Sequence, residues 1–163
     1  MLARFRVVAT GGTFDEIHAG HIALLAKAFE LGDHVIIGVT SDQFVKHKKL
    51  NHPFEERVAS LKKIIKQEFR GGDYEVAKLD SEFGPAITTG DVGALVASTE
   101  TAAKGVRLNK LRTKSGLAPV EVVAVDLVKA EDGKPISSTR IRAGEIDWRG
   151  RLLKAGRGRL NYL

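Results

Sequence analysis

The stretch GGTFDEIHAGHIALL, residues 11–25, decides how this chain is read. It follows an apolar run at residues 4–9 and leads into residues 18–31, where Ile22, Leu25 and Phe29 share one helical face. A buried strand, a glycine turn and a helix is the opening unit of an α/β fold. The pattern continues outward from it. Gly32 and Asp33 close the helix, and HVIIGV (residues 34–39) reads as a second strand. Pro53 suits the first turn of a helix over residues 53–69. After the turn at Gly71, Gly72 and Asp73 come strands at residues 74–79, 94–97 and 120–128. This alternation predicts βαβ crossovers and a Rossmann-like, doubly wound parallel sheet of five strands, with helices on both faces. No linker or repeat interrupts residues 1–163, so one domain is expected, with a basic tail from about residue 148.

At 163 residues the chain can bury a full core, and its 43% apolar and 28% charged composition is that of an ordinary globular protein. No run of 18 or more apolar residues occurs, so no membrane span is expected. The first residues lack the long apolar region of a signal peptide. Cysteine is absent, which removes disulfide and thiol chemistry and agrees with a cytoplasmic setting. A net charge of +6 favours anionic partners without choosing among them.

In doubly wound sheets ligands bind beyond the carboxyl ends of the strands, where residues 11–21 leave the first strand. Gly11 and Gly12 let backbone amides approach a ligand, Thr13 adds a hydroxyl, and the helix start is a natural anion site. His18 and His21 fall one turn apart on nearly the same face, and Gly20 leaves room for a flat base or a ribose. The dinucleotide fingerprint fits poorly, because the glycines are adjacent and no third follows, although Asp42 could mimic its ribose-binding acid. The phosphate loop ending in Gly-Lys-Ser/Thr is absent. A metal held by His18 and His21, helped by Asp15 or Glu16, lacks evident further ligands, and no protein metal site is assigned.

Near the other end, EDGKPISSTRIR (residues 131–142) gives a turn, three hydroxyls and a helical start. Ser137 or Ser138 suits the N-cap. Ser137, Ser138 and Thr139 could ring an oxyanion while Arg140 or Arg142 supplies charge, a combination suited to a triphosphate tail. Lys46, Lys48 and Lys49 add mobile charges beyond the second strand.

GTFD followed by HAGH, with ISSTRIR near the C-terminus, resembles the paired signatures of the nucleotidyltransferase superfamily, in the order that superfamily requires. Residues 83–87 (FGPAI), 94–101 (ALVASTET), 106–112 (VRLNKLR) and 116–120 (GLAPV) look like the archaeal/eukaryotic type of pantetheine-phosphate adenylyltransferase, over nearly the whole chain. The chain departs from that pattern at Thr99, Gly90 and Gly93. The resemblance implies adenylyl transfer from ATP to 4′-phosphopantetheine, giving dephospho-CoA and pyrophosphate, with Mg²⁺ carried on ATP. It places Gly12, Thr13, Phe14, His18 and His21 at the nucleotide, with His21 on the α-phosphate, His18 on the triphosphate beside it and Thr13 bridging the reacting phosphates. It puts Ser137, Ser138, Thr139 and Arg142 on the pyrophosphate and Lys46 and Lys48 over the reacting charges. Ser98, Glu100 and Thr101 become candidate substrate contacts.

The nearest alternative is a sister adenylyl- or cytidylyltransferase acting on an FMN-type acceptor or glycerol phosphate. A nucleic-acid-binding module is the other: the tail WRGRLLKAGRGRLNYL (residues 148–163) carries five basic residues and no acid. No RNA-binding motif accompanies it, so the tail is expected to be a basic helix that packs Leu152 and Leu153 on the sheet and frays at its end. The spacing leaves oligomeric state open.

Overall fold

The structure, a computed structural model, describes residues 5–45, 50–84, 86 and 89–153. Five strands form one parallel sheet in the order β3-β2-β1-β4-β5, as the alternation of elements requires. They are β1 (Phe5–Gly12), β2 (Gly32–Thr40), β3 (Tyr74–Leu79), β4 (Val92–Ser98) and β5 (Glu121–Val125). The helices are α1 (Ala19–Leu31), α2 (Phe54–Glu68), α3 (Lys104–Lys114) and a short α4 (Ser138–Arg142). No helix among the described residues is long and apolar enough to cross a membrane.

Period-two alternation divides the strands between two cores, with a register shift in β4 between Val92 and Ala94. Val8, Val35, Ile37, Val39, Ala94 and Val96 face α1 and α2, where Leu25, Ala28, Leu61 and Ile65 are buried. Val7, Ala9, Ile36 and Val92 face the other way, toward Leu108 of α3, Phe83, Ala86 and Val120. A third small cluster of Ala130, Ile136 and Ile146, with Leu152 packed on it, closes the C-terminal end.

Several expectations shift in detail. Gly11 and Gly12 are not a turn: they are the last residues of β1, paired with Gly38 and Val39 of β2. The expected glycine stop after α1 is tighter than a loop, since Gly32 caps the helix and begins β2 at once. The fourth strand starts two residues earlier than its apolar core, and the fifth ends at Val125. Pro53 stands at the N-cap of α2 rather than inside it. The tail forms no helix over residues 148–153: Leu152 bridges to Ile146 and packs on the Ala130, Ile136 and Ile146 cluster instead of the sheet, and residues 154–163 lie outside the described residues.

Gly32 makes the abrupt α1–β2 join possible. A Cβ there would lie 2.8 Å from Cγ2 and 2.9 Å from Cβ of Val8, a β-branched side chain with little freedom to move. Its φ of −113° is open to any residue, so the cost of a larger side chain is packing alone. Gly32→Ala should lower the unfolding free energy by about 1–3 kcal/mol in urea titration. An unchanged value would show that α1, β1 and β2 do not meet as closely as this.

Candidate active site

At the carboxyl ends of β1 and β2 the chain turns through Thr13 and Phe14. Phe14, with φ 55°, is the only non-glycine in the left-handed region among the described residues. Such a backbone persists only where its surroundings overdetermine it. Here the Phe14 side chain is buried, and the fully buried Arg57 donates from Nη1 to the Thr13 carbonyl at 2.8 Å. Arg57 also donates to the His52 carbonyl (3.1 Å) and to Asp42 (2.8 Å). Asp42 in turn accepts from the Phe54 amide, capping α2. These bonds hold its carboxyl below the usual range, the Arg57 contact foremost. Asp42 is therefore occupied in holding the loop.

The two histidines cap their own helix. His18 is the N-cap of α1, and its Nδ1 accepts from the Gly20 amide at 3.0 Å. His21 Nδ1 accepts from the His18 amide at 3.2 Å, closing a reciprocal capping box. The Ala19 amide donates to the Trp148 carbonyl at 2.8 Å. The His18, Ala19 and Gly20 amides are thus already used and are not open to an anion as expected. What the helix start offers instead is imidazole. A neutral ring whose Nδ1 accepts must carry its proton on Nε2. Among the described residues neither Nε2 takes a partner. Burial lowers the His18 pKa to about 4. Burial, with His18 beside it, lowers that of His21 to about 3. The rings lie 4.0 Å apart between centroids, and Phe14 backs His21 at 5.0 Å. Gly20 also gains a nearer purpose than room for a base: a Cβ there would sit 2.8 Å from Cε1 of His18.

The second motif docks onto the first. Ser137 is the N-cap of α4, accepting from the Arg140 amide at 3.2 Å, and Ser138 Oγ donates to the Glu16 carbonyl at 3.3 Å. The two arginines part company. Arg140 is engaged by Asp132, Glu145 and the Pro135 carbonyl, a structural role. Arg142 turns to Asp15 at 2.9 Å, with the Thr139 hydroxyl 3.5 Å from its Nη2.

On the face away from α1 a cavity of about 640 Å³ opens beside Thr13. Its floor is the sheet, kept low by Ala9, Gly11, Gly38 and Ala97. Phe83 and Ala86 line the cavity with Lys104 and Arg107 of α3, and Arg107 pairs with Glu82 at its edge. Thr40 donates to the Thr13 hydroxyl at 3.2 Å, leaving the Thr13 proton free for a ligand. Of the expected substrate contacts, Thr101 lines the cavity and Ser98 meets it only through the Thr101 hydroxyl, 3.1 Å away. Glu100 is exposed and does not line it. Lys46 and Lys48 lie outside the described residues. Sequence reasoning missed Glu82, Lys104 and Arg107. Small residues alternating along three strands (9 and 11, 38, 97) were the available signal for a depression on that face. Among the described residues no three of His, Cys, Asp and Glu converge into a cation site.

An open-edged parallel sheet with a histidine-capped helix and an arginine-bearing second motif beyond its carboxyl edge defines a nucleotide-binding α/β protein. A profile of the cytidylyltransferase-like family matches residues 9–144, and the chain belongs to that family. It is similar to the phosphopantetheine adenylyltransferase of Methanothermobacter thermautotrophicus, 40% identical over 98% of this chain and 97% of that one. It is also similar to that of Methanopyrus kandleri, 43% identical over 90% and 94%. Among solved structures, a protein of unknown function from Archaeoglobus fulgidus is 32% identical with a TM-score of 0.67, over 73% of this chain and 88% of that one. The tyrosyl-tRNA synthetase of the same organism shares the fold, with a TM-score of 0.58 at 12% identity over 83% and 59%.

The histidine pKa values carry a stability consequence. Both groups are neutral in the folded state down to about pH 4, but an unfolded chain protonates them near 6.5. Unfolding therefore takes up protons below that point, and stability falls as pH drops from about 6.5 toward 4, with a slope of up to about 1.4 kcal/mol per pH unit for each histidine. His34 works in the opposite direction. Burial opposes its charging, but hydrogen bonds to Asp73 and Glu75 outweigh that and raise its pKa. Its contribution is present at low pH and lost as pH rises through the raised value. In a His34→Gln background, denaturant titration from pH 7.5 to 4.5 should show the acid loss, and His18→Gln should reduce its slope. A slope unaffected by either histidine would contradict neutral, buried rings.

Proposed function

We propose that this chain transfers the adenylyl group of ATP to 4′-phosphopantetheine, releasing pyrophosphate and forming dephospho-CoA. The observation that carries the proposal is the position of Thr13, which directly follows the strand leading to the histidine motif and also lines the 640 Å³ cavity. A nucleotide on the histidine side and an acceptor in the cavity would bring their phosphates together at that residue. The cavity's small-residue floor and mixed walls suit an extended acceptor arm with amide and apolar segments. The full-length similarity to phosphopantetheine adenylyltransferases supports the same acceptor.

A phosphate monoester is already ionised at neutral pH, so its oxygen needs no general base. That oxygen forms the new bond to the α-phosphorus in line as the bond to the β-phosphate bridging oxygen breaks, and pyrophosphate departs with that electron pair. The protein's part is placement and charge stabilisation. His21 and His18 donate from Nε2 to the non-bridging oxygens, where charge rises in the transition state. Neutral donors suit this task, because they remain protonated on Nε2 throughout and give up no proton. Thr13 donates its free proton between the two phosphates. Arg142, with the Ser137–Thr139 segment, receives the β- and γ-phosphates, and Lys46 and Lys48 neutralise incoming and leaving charge. Mg²⁺ enters as part of the substrate, bound to ATP.

Purified protein supplied with MgATP and 4′-phosphopantetheine should release pyrophosphate and form dephospho-CoA. Turnover with FMN or glycerol phosphate instead, or with CTP as donor, would move the chain to a sister enzyme. His21→Ala should lower kcat by about 10²–10³, as loss of one preorganised donor does, with ATP affinity within a few-fold of the parent. An unchanged kcat in that variant would remove His21 from the reacting phosphorus.

A further inference from the structure

Asp15 belongs to the first motif, yet the reaction above gives it nothing to do. Its side chain is only 3% exposed, and both oxygens are fully engaged. Oδ1 accepts from the Asn51 and His52 amides at 3.2 and 3.0 Å. Oδ2 accepts from the Asn51 amide at 3.0 Å and from Arg142 Nη1 at 2.9 Å. Its neighbour Glu16 tightens the same junction. The Glu16 carboxylate accepts from Asn51 Nδ2 at 2.9 Å and faces His52 Nε2 at 3.4 Å, and its carbonyl takes the Ser138 hydroxyl. Three segments far apart in sequence, at 15–16, 51–52 and 138–142, therefore converge on one buried carboxylate. Arg142 itself is a quarter exposed and keeps donors without a partner among the described residues.

We propose that Asp15 is a positioning residue: it holds the Arg142 guanidinium at the phosphate end of the nucleotide site before ATP arrives, so that the two nucleotide motifs act as one preassembled unit. The proposal rests on the nucleotide site described above. A free arginine side chain must surrender much of its rotamer freedom to grip a phosphate, whereas one already fixed by a buried carboxylate has surrendered it on folding. The fork of donors lets one guanidinium edge stay on Asp15 while the rest turns to the polyphosphate. The Asp15 charge is offset by Arg142 and the amides around it, so it presents little net repulsion to the incoming anion. Asn is a poor substitute here, because both carboxylate oxygens accept from donors and an amide group would place its own N–H bonds against one set.

The test is a double-mutant cycle on the full chain, with ATP Kd measured calorimetrically for the parent, Asp15→Asn, Arg142→Met and the double variant, beside KM for each substrate. Arg142→Met should weaken ATP by roughly ten- to a hundredfold, as loss of a charge-assisted hydrogen bond does, and Asp15→Asn by about tenfold. The double variant should be no worse than Arg142→Met within about twofold, because Asp15 acts through Arg142. KM for the acceptor should move much less than ATP Kd. Losses that multiply, or an Asp15→Asn variant that folds and binds ATP normally, would overturn the proposal. A measurement on the parent protein needs no variant to fold. In ¹⁵N side-chain spectra of the unliganded chain, Arg142 should show hindered guanidinium rotation, and free rotation would equally overturn it. Product from 4′-phosphopantetheine with multiplying losses rejects this inference alone. A coupled cycle with no such product rejects the acceptor assignment alone.

Discussion

The first turn of α1 satisfies its own backbone with the side chains of His18 and His21, and the chemistry of the site depends on that exchange. Four amides at a helix start lack intrahelical partners, and most helices cover them with Ser, Thr, Asp or Asn. Here the acceptors are imidazole nitrogens, with His18 Nδ1 on Gly20 and His21 Nδ1 on the His18 amide. A capping contact ordinarily contributes stability alone. With histidine as the cap it also selects the tautomer, because the nitrogen that accepts cannot carry the proton. Burial then keeps both rings neutral, and two Nε2–H donors remain without a partner among the described residues. The spacing of three residues is the N-cap to N3 spacing of a capping box, and Gly20 is required because the His18 ring occupies the place of its Cβ.

Around this turn, charge is placed where it fixes backbone. Arg57 is fully buried and holds the Thr13 carbonyl, which steadies the left-handed Phe14 beneath His21. Arg112 is its counterpart on the opposite face, donating to the Ala118, Ala86, Thr89 and Val92 carbonyls and so fixing the wall of the cavity. Neither arginine touches the proposed reacting groups. Arg57 binds two carbonyls and a carboxylate and Arg112 four carbonyls, a task for which a planar fork with five donors is suited and lysine is not.

The order of the elements was legible because the chain alternates apolar strand runs with helical periods, and five parallel strands admit few arrangements. The two motifs were legible from hydroxyl and histidine spacing, which left the cap open between Ser137 and Ser138 until the structure placed it at Ser137. Gly11 and Gly12 misled, since adjacent glycines signal a turn unless a neighbouring strand approaches closely. Gly38 does so, and a Cβ on Gly11 would lie 3.1 Å from its carbonyl. Asp42 misled in the other direction: an acid after the second strand suits a ribose, but only the fold shows Arg57 waiting fifteen residues on. Asp15, Arg57 and Arg112 act through contacts between residues far apart in sequence, and no local pattern marks such pairs.

The central claim is that helix capping sets two neutral histidines with their protons on Nε2. Long-range ¹H–¹⁵N spectra of the imidazole rings at pH 7 test it most directly. His18 and His21 should each show an unprotonated Nδ1 and a protonated Nε2, in the free protein and with a non-hydrolysable ATP analogue bound. A proton on Nδ1 of either ring, or an imidazolium at that pH, would contradict the account, because the capping bonds and the phosphate donors could not then coexist.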